Sequence, residues 1–288
     1  MTPASGPPPV GLFVGLATFD LIQLVDRRPG PNEKIRAERQ LVVGGGPAAN
    51  AAVTFGALGG RADLHTRLGS SDVAGFVRAE IAGRGVGVND WSPQETREPP
   101  AAAITVDGGT GDRAVVSTHG QLADENPSAP PQVAVADVVL LDGHYPAIAA
   151  AVLAAVGSGA VVVLDGGSFK PGLEPLLPAV EVAILSDDFR VPGDGEPADY
   201  LLACGVSGVV TTHGPDPITW TDGTGAGTVA VPAVRTVDTL GAGDVFHGAA
   251  CYYLAAGQRL PDALAMAAEV AALCVTSFGT RDWLDQLP

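Results

Sequence analysis

The chain has 288 residues, a net charge of −16 and 46% hydrophobic residues, which allows one large domain or two small ones around a substantial core. So acidic a surface argues against nucleic acid or an anionic membrane as a partner, and two lysines (Lys34 and Lys170) with no Gly-Lys-Ser/Thr exclude a Walker A loop. No apolar run long enough to cross a bilayer escapes interruption by Gly or Pro, the opening MTPASGPPPV lacks the parts of a signal peptide, and Cys204, Cys251 and Cys274 lie far apart without metal spacing, so a reduced, cytoplasmic protein is expected.

Along the chain, GLFVGLA (11–17) and DLIQLVD (20–26) read as strands, the second by its period of two. PAANAAVTFGALGG (47–60) reads as a small-residue helix closed by glycine, ADLHTRLG (62–69) as a strand, and SDVAGFVRAEIAGRGV (71–86) as a helix with a Ser-Asp start and a Gly stop. Strands near 101–107 and 113–118 flank the turn DGGTGD. From residue 137 strand-like Val/Ile/Leu runs recur near 137, 160, 181 and 207 between helical segments, as in a parallel sheet covered on both faces. Helices are expected over 243–256 and 261–277. The reading is a single α/β domain over 1–288, with early strands at about 11–45 and 97–120 set aside as a small β-lid.

Two glycine clusters stand out. In VDTLGAGDVFHGAA, Gly241, Ala242 and Gly243 precede Asp244 at the start of an apolar helix. Backbone N–H groups at a helix start are unpaired and partly positive, so they bind phosphate without a lysine, and glycines let the oxygens come close. A carboxylate there either takes the proton of an attacking hydroxyl or simply caps the helix; these residues alone leave both open. In GGGPAAN, Gly45 and Gly46 permit close approach and Asn50 can donate to and accept from hydroxyls, although a tight strand–helix turn explains the same pattern. The dinucleotide spacing G-x-G-x-x-G is not met.

Together, GGGPAANAAVTFGALGG and DTLGAGDVFHGA resemble the paired signatures of the ribokinase-like (PfkB) carbohydrate kinases, and VGLATFDLIQLVDRRPGPNEKIR is similar to the opening of ketohexokinases. The resemblance covers nearly the whole chain. It implies a three-layer α/β fold, a parallel sheet between helices with a β-lid, and MgATP-dependent phosphorylation of a sugar or nucleoside hydroxyl. It implies Asp244 as general base and the N–H groups of Gly241, Ala242 and Gly243 as the anion hole. Asp20, at the end of the first strand, would hold neighbouring sugar hydroxyls with Gly45, Gly46, Asn50 and Asp142, and His144 would line the same pocket. Thr212, Gly214, Ser186 and Cys274 would contact ATP, with the stretch from Ala271 to Gly279 flanking adenine. Asp187 would stand near Mg²⁺ and Asp238 near a monovalent cation such as K⁺.

The chain also departs from the family pattern. SDDF places Ser186 and Asp187 where many members carry Asn-x-x-Glu, Pro47 stands where Lys or Asn often touches the sugar, and Leu240 replaces the Thr of ribokinases. The favoured reading is a sugar kinase acting on a ketohexose- or ribose-like substrate. A nucleoside kinase on the same fold and a non-catalytic sugar or nucleotide sensor are the alternatives; an aromatic lid would favour the nucleoside kinase, and AAAITVDGGTGDRAVVSTHG has no aromatic residue. The lid strands lack a helix to cover them, so a homodimer through the lid is expected.

Overall fold

Runs such as VVLL and VVVLDG have no polar face to offer water, and they become the middle of a sheet packed on both sides. The computed structural model describes residues 7–118 and 135–287; the expectations for the tail before residue 7, for the lid's end at 119–120 and for His119 lie outside the described residues. A nine-stranded sheet is built from β1 (Val10–Val14), β4 (Arg61–Thr66), β5 (Gly87–Asp90), β8 (Val138–Leu141), β9 (Val161–Gly166), β10 (Val182–Ser186), β11 (Gly208–His213), β12 (Asp216–Asp222) and β13 (Gly225–Val229). Its order is β13-β12-β11-β10-β9-β8-β1-β4-β5, parallel from β11 to β5 and closed at the other edge by the antiparallel pair β12 and β13.

Successive side chains of a strand point to opposite faces, and here they feed two cores. Phe13, Leu64, Leu140, Val163 and Ile184 pack under α1 (Pro47–Ala57), α2 (Asp72–Gly83), α5 (Ala242–Ala255) and α6 (Leu260–Cys274). Their neighbours Leu12, Val14, Val139, Leu141 and Leu164 pack under α3 (Pro146–Val156) and α4 (Pro197–Ala203). The result is three layers.

The second sheet has four strands, β3 (Arg39–Gly45), β2 (Thr18–Val25), β6 (Ala101–Asp107) and β7 (Arg113–Ser117), in that spatial order. Its inner face, with Ile22, Val43, Ala102, Ile104 and Val106, closes on Leu240 and Phe278. Its outer face carries an apolar row in register across all four strands, Val42–Leu21–Ala103–Val116, with Val116 76% exposed.

The segment expected as lid from residue 11 divides here. Residues 10–14 form β1 inside the large sheet, and the small sheet begins at Thr18. Asp20 therefore lies within β2, not at the end of the first strand. Three further elements were not expected: β5 is four half-buried residues (GVND), α4 has seven, and the β12–β13 hairpin is polar and glycine-rich, so none has a strong periodicity.

Candidate active site

Helices α1 and α5 begin alike. Each has a glycine of positive φ at its N-cap, Gly46 at +97° and Gly241 at +74°, and neither has a side-chain cap. The Ala242 N–H donates to the carbonyl of Thr239 at 3.4 Å and Pro47 has none, while the other first-turn N–H groups keep their partial positive charge for a ligand. Gly46 has no room for a β-carbon, which would overlap the carbonyl oxygen of Leu16. Asp244 lies three residues past the N-cap and its carboxylate bonds to Asn50, so the capping alternative for this residue does not describe the helix.

The two helices approach closely because Gly248 packs against the backbone of Ala51, where a β-carbon would overlap the carbonyl oxygen. That contact brings together residues 194 apart in sequence: Asn50 Nδ2 donates to Asp244 Oδ2 at 2.7 Å. Asn50 Oδ1 accepts from Arg281 Nη1 at 2.8 Å, and Arg281 Nη2 donates to the carbonyl of Gly44. Burial is the main cause raising Asp244 to a pKa of about 6; Asp165 adds to it, while the Asn50 hydrogen bond, His247 and Arg113 oppose it.

Asp20 is buried, and Thr18 Oγ1 donates to its Oδ1 at 2.5 Å. Gly45 on the neighbouring strand leaves room for it, since a β-carbon there would overlap Asp20 Oδ2. Burial raises Asp20 to a pKa of about 6, against the Thr18 hydroxyl and the charge of Arg281.

A cavity of about 630 Å³ opens at Ala242 and Gly243 and runs to Ala268, Ala271 and Val275 of the α6 segment. Thr212 and Gly214 form part of its wall, and Arg113 reaches it from the lid. Arg113 Nη1 also donates to Thr239 Oγ1 at 3.0 Å, tying β7 to the segment that leads into Gly241.

Several expected site residues carry contacts of their own within the protein. Asp142 accepts backbone N–H groups at both oxygens, from Leu16 at 2.7 Å and His144 at 2.9 Å, and so braces the ends of β1 and β8. Ser186 Oγ donates to the carbonyl of Gly167 at 3.3 Å and is not on the cavity wall. Cys274 sits in the core with 1% exposure; its neighbours Ala271, Ala272 and Val275 line the cavity instead. Asp187 pairs with His213 Nδ1 at 2.8 Å. Asp238 is buried and accepts the N–H groups of Leu240 and Gly279, one at each oxygen and each at 2.8 Å. Among the described residues, no group of three or more His, Cys, Asp or Glu could hold a metal ion.

Two arginines of this region carry no motif of their own in the sequence. Arg113 was hidden in an ordinary strand, but Arg281 left a signal in FGTRDW, a charge between Phe278 and Trp283, both of which are buried.

The model of the pfkB family carbohydrate kinases matches residues 12–287. The chain belongs to this family. Among curated relatives, a ribokinase of Bacillus subtilis is 26% identical over 93% of both chains. A ketohexokinase of Mus musculus is 25% identical over 90% of this chain and 94% of its own. A crystal structure of a protein from Agrobacterium tumefaciens, provisionally assigned as a ribokinase, superposes with a TM-score of 0.81 at 25% identity over 97% of this chain and 98% of that one. This carbohydrate kinase thus has the ribokinase-like α/β fold that the two glycine signatures implied, and a phosphotransferase acting on an alcohol group is the corresponding enzyme class. No helix among its described residues is long and apolar enough to cross a membrane.

Proposed function

We propose that the kinase transfers the γ-phosphoryl group of MgATP to a hydroxyl of a ribose- or ketohexose-like sugar. The observation that carries this is the Asn50–Asp244 hydrogen bond, which joins the two glycine turns beside a cavity that opens at Gly243. ATP extends along that cavity, its base end against Ala268, Ala271 and Val275 and its phosphates toward the N–H groups of Gly241, Ala242 and Gly243. Arg113 is the cation at the phosphate end. Mg²⁺ arrives with the nucleotide as part of the substrate and offsets phosphate charge. Asp187 stays with His213 and has only a minor part in holding it. No monovalent-cation step is assigned to Asp238.

The sugar lies between Asp20, Asn50 and Asp244, under the inner face of the lid. Asp20 grips neighbouring hydroxyls through its carboxylate, the usual recognition of a polyol. Asp244 accepts the proton of the attacking hydroxyl as the phosphoryl group moves. The relatives support both the nucleotide and the sugar: their names are ribokinase and ketohexokinase, and a ribokinase of Arabidopsis thaliana with ribose and ATP bound superposes at a TM-score of 0.68 and 23% identity over 98% of this chain and 96% of that one. Incubation with MgATP and a panel of pentoses, ketohexoses and nucleosides, scored by ADP release, tests the reading. Release with a pentose or ketohexose, abolished by EDTA, is the expected result. Release with nucleosides alone, or with none of the panel, overturns it.

Two carboxylates with raised pKa values give a pH profile. Each must be ionised, Asp20 to bind and Asp244 to accept a proton, so kcat/KM should fall as pH drops through about 6. With both groups titrating in the free enzyme, the slope of log(kcat/KM) should exceed one on the acid side. A flat profile down to pH 5 would contradict both assignments.

The row Val42–Leu21–Ala103–Val116 supports a C2 dimer in which two lids pack through their outer faces. Sedimentation at micromolar concentration should find a dimer that Val116→Glu converts to monomer. A wild-type monomer would refute the pairing.

A further inference from the structure

We infer that Arg281 is a positioning residue for phosphoryl transfer: it locks the side-chain amide of Asn50 so that one oxygen of Asp244 is occupied and the other faces the substrate. This rests on the reading of Asp244 as the proton acceptor.

An asparagine amide has two orientations that differ little in shape and oppositely in hydrogen bonding. What decides between them here is Arg281. Its side chain is 5% exposed, and Nη1 donates to Asn50 Oδ1 at 2.8 Å. A guanidinium only donates, so the oxygen of Asn50 must face it and the NH₂ must face Asp244, where it donates to Oδ2 at 2.7 Å. A flipped amide would set donor against donor at Arg281 and acceptor against carboxylate at Asp244.

The guanidinium is itself fixed. Nη1 also donates to the carbonyl of Thr280 at 3.1 Å, Nη2 donates to the carbonyl of Gly44, and Nε lies 3.6 Å from Glu80 Oε1. Glu80 Oε2 in turn accepts the N–H of Gly44 at 3.1 Å. One side chain thus grips both the strand end before Gly45 and the residue that contacts the base. A chain of fixed partners runs from α2 through Arg281 and α1 to α5. Lysine keeps the charge but has no planar fork to span Asn50 and Gly44.

The groups around Asp244 are Asp165 from β9, His247 from its own helix, Arg113 from β7, Cys274 from α6, Asn50 from α1, and Arg281. Asn50 and the three cationic or protonatable groups favour the ionised carboxylate, while Asp165 opposes it. Release of the Asn50 amide removes a donor from Asp244 and moves its titration to higher pH.

The test is a ¹³C-carboxyl NMR titration of Asp244, assigned with Asp244→Asn, in the wild type, Arg281→Lys, Arg281→Met, Asn50→Ala and the double variants. No sugar is needed, so the result is separate from the ADP-release panel, and a failed panel refutes the proposed substrate class alone. The midpoint should rise by roughly one pH unit in Asn50→Ala and by a similar amount in Arg281→Lys, which keeps the charge. In the Asn50→Ala background Arg281→Lys should add nothing, because its effect passes through that amide. An unchanged midpoint in Arg281→Lys, or a shift that persists without the Asn50 side chain, overturns the inference. So does loss of folding in both Arg281 variants, which would make the residue a structural anchor only.

Discussion

Asp244→Asn should lower kcat about 10²- to 10⁴-fold, a barrier increase of about 3–5 kcal/mol, while the melting temperature and ATP binding stay near wild type. The substitution keeps size and can still accept the hydrogen bond from Asn50 Nδ2, so the helix pair has no reason to separate. It removes the ability to take a proton. Positioning and charge carry most of a phosphoryl transfer, which is why residual turnover is expected. Steady-state kinetics on the sugar found by the panel, with calorimetric ATP binding as control, decides the point. Near-normal kcat in the folded variant would remove Asp244 from the chemistry.

Gly248→Ala should damage the site from one helical turn away. The added methyl meets the Ala51 carbonyl oxygen, which belongs to the backbone of α1 and cannot rotate aside. Overpacking of this kind costs about 1–3 kcal/mol, and relief requires α1 and α5 to part. The 2.7 Å bond between Asn50 and Asp244 is the first contact that parting would stretch. Both melting temperature and kcat should fall. Gly75→Ala is the control: it lies exposed in α2 with nothing within 4 Å of the added carbon, and should stabilise by up to about 1 kcal/mol. Equal melting temperatures for the two variants would show that the α1–α5 contact yields without cost.

Much of this architecture is legible in the sequence because its signals are local. Continuous Val/Ile/Leu runs mark β8 to β11, and glycine followed by small residues marks the starts of α1 and α5. What escapes is decided by packing between distant segments. Nothing in LLDGHYP tells that Asp142 closes on the backbone of Leu16, 126 residues earlier. Nothing in AALCVTS tells which of Cys274 and Val275 faces the cavity, since adjacent helical positions differ by about 100° and the helix ends there. β1 and β2 are both apolar, so the sequence alone groups them as one lid. Only their pairing, β1 with β4 and β8 and β2 with β3 and β6, separates them.

The lid is moored at both of its outer strands. At one edge Arg113 of β7 holds Thr239, two residues before Gly241. At the other, Arg39 of β3 pairs with Asp282 at 2.7 Å and lies over the ring of Phe278, beside Thr280, whose methyl packs on Gly241. A lid lifted off an empty sugar pocket would therefore tug on the turn that cradles the phosphate from two sides. Such mooring would link the position of the lid to the shape of the turn that opens α5.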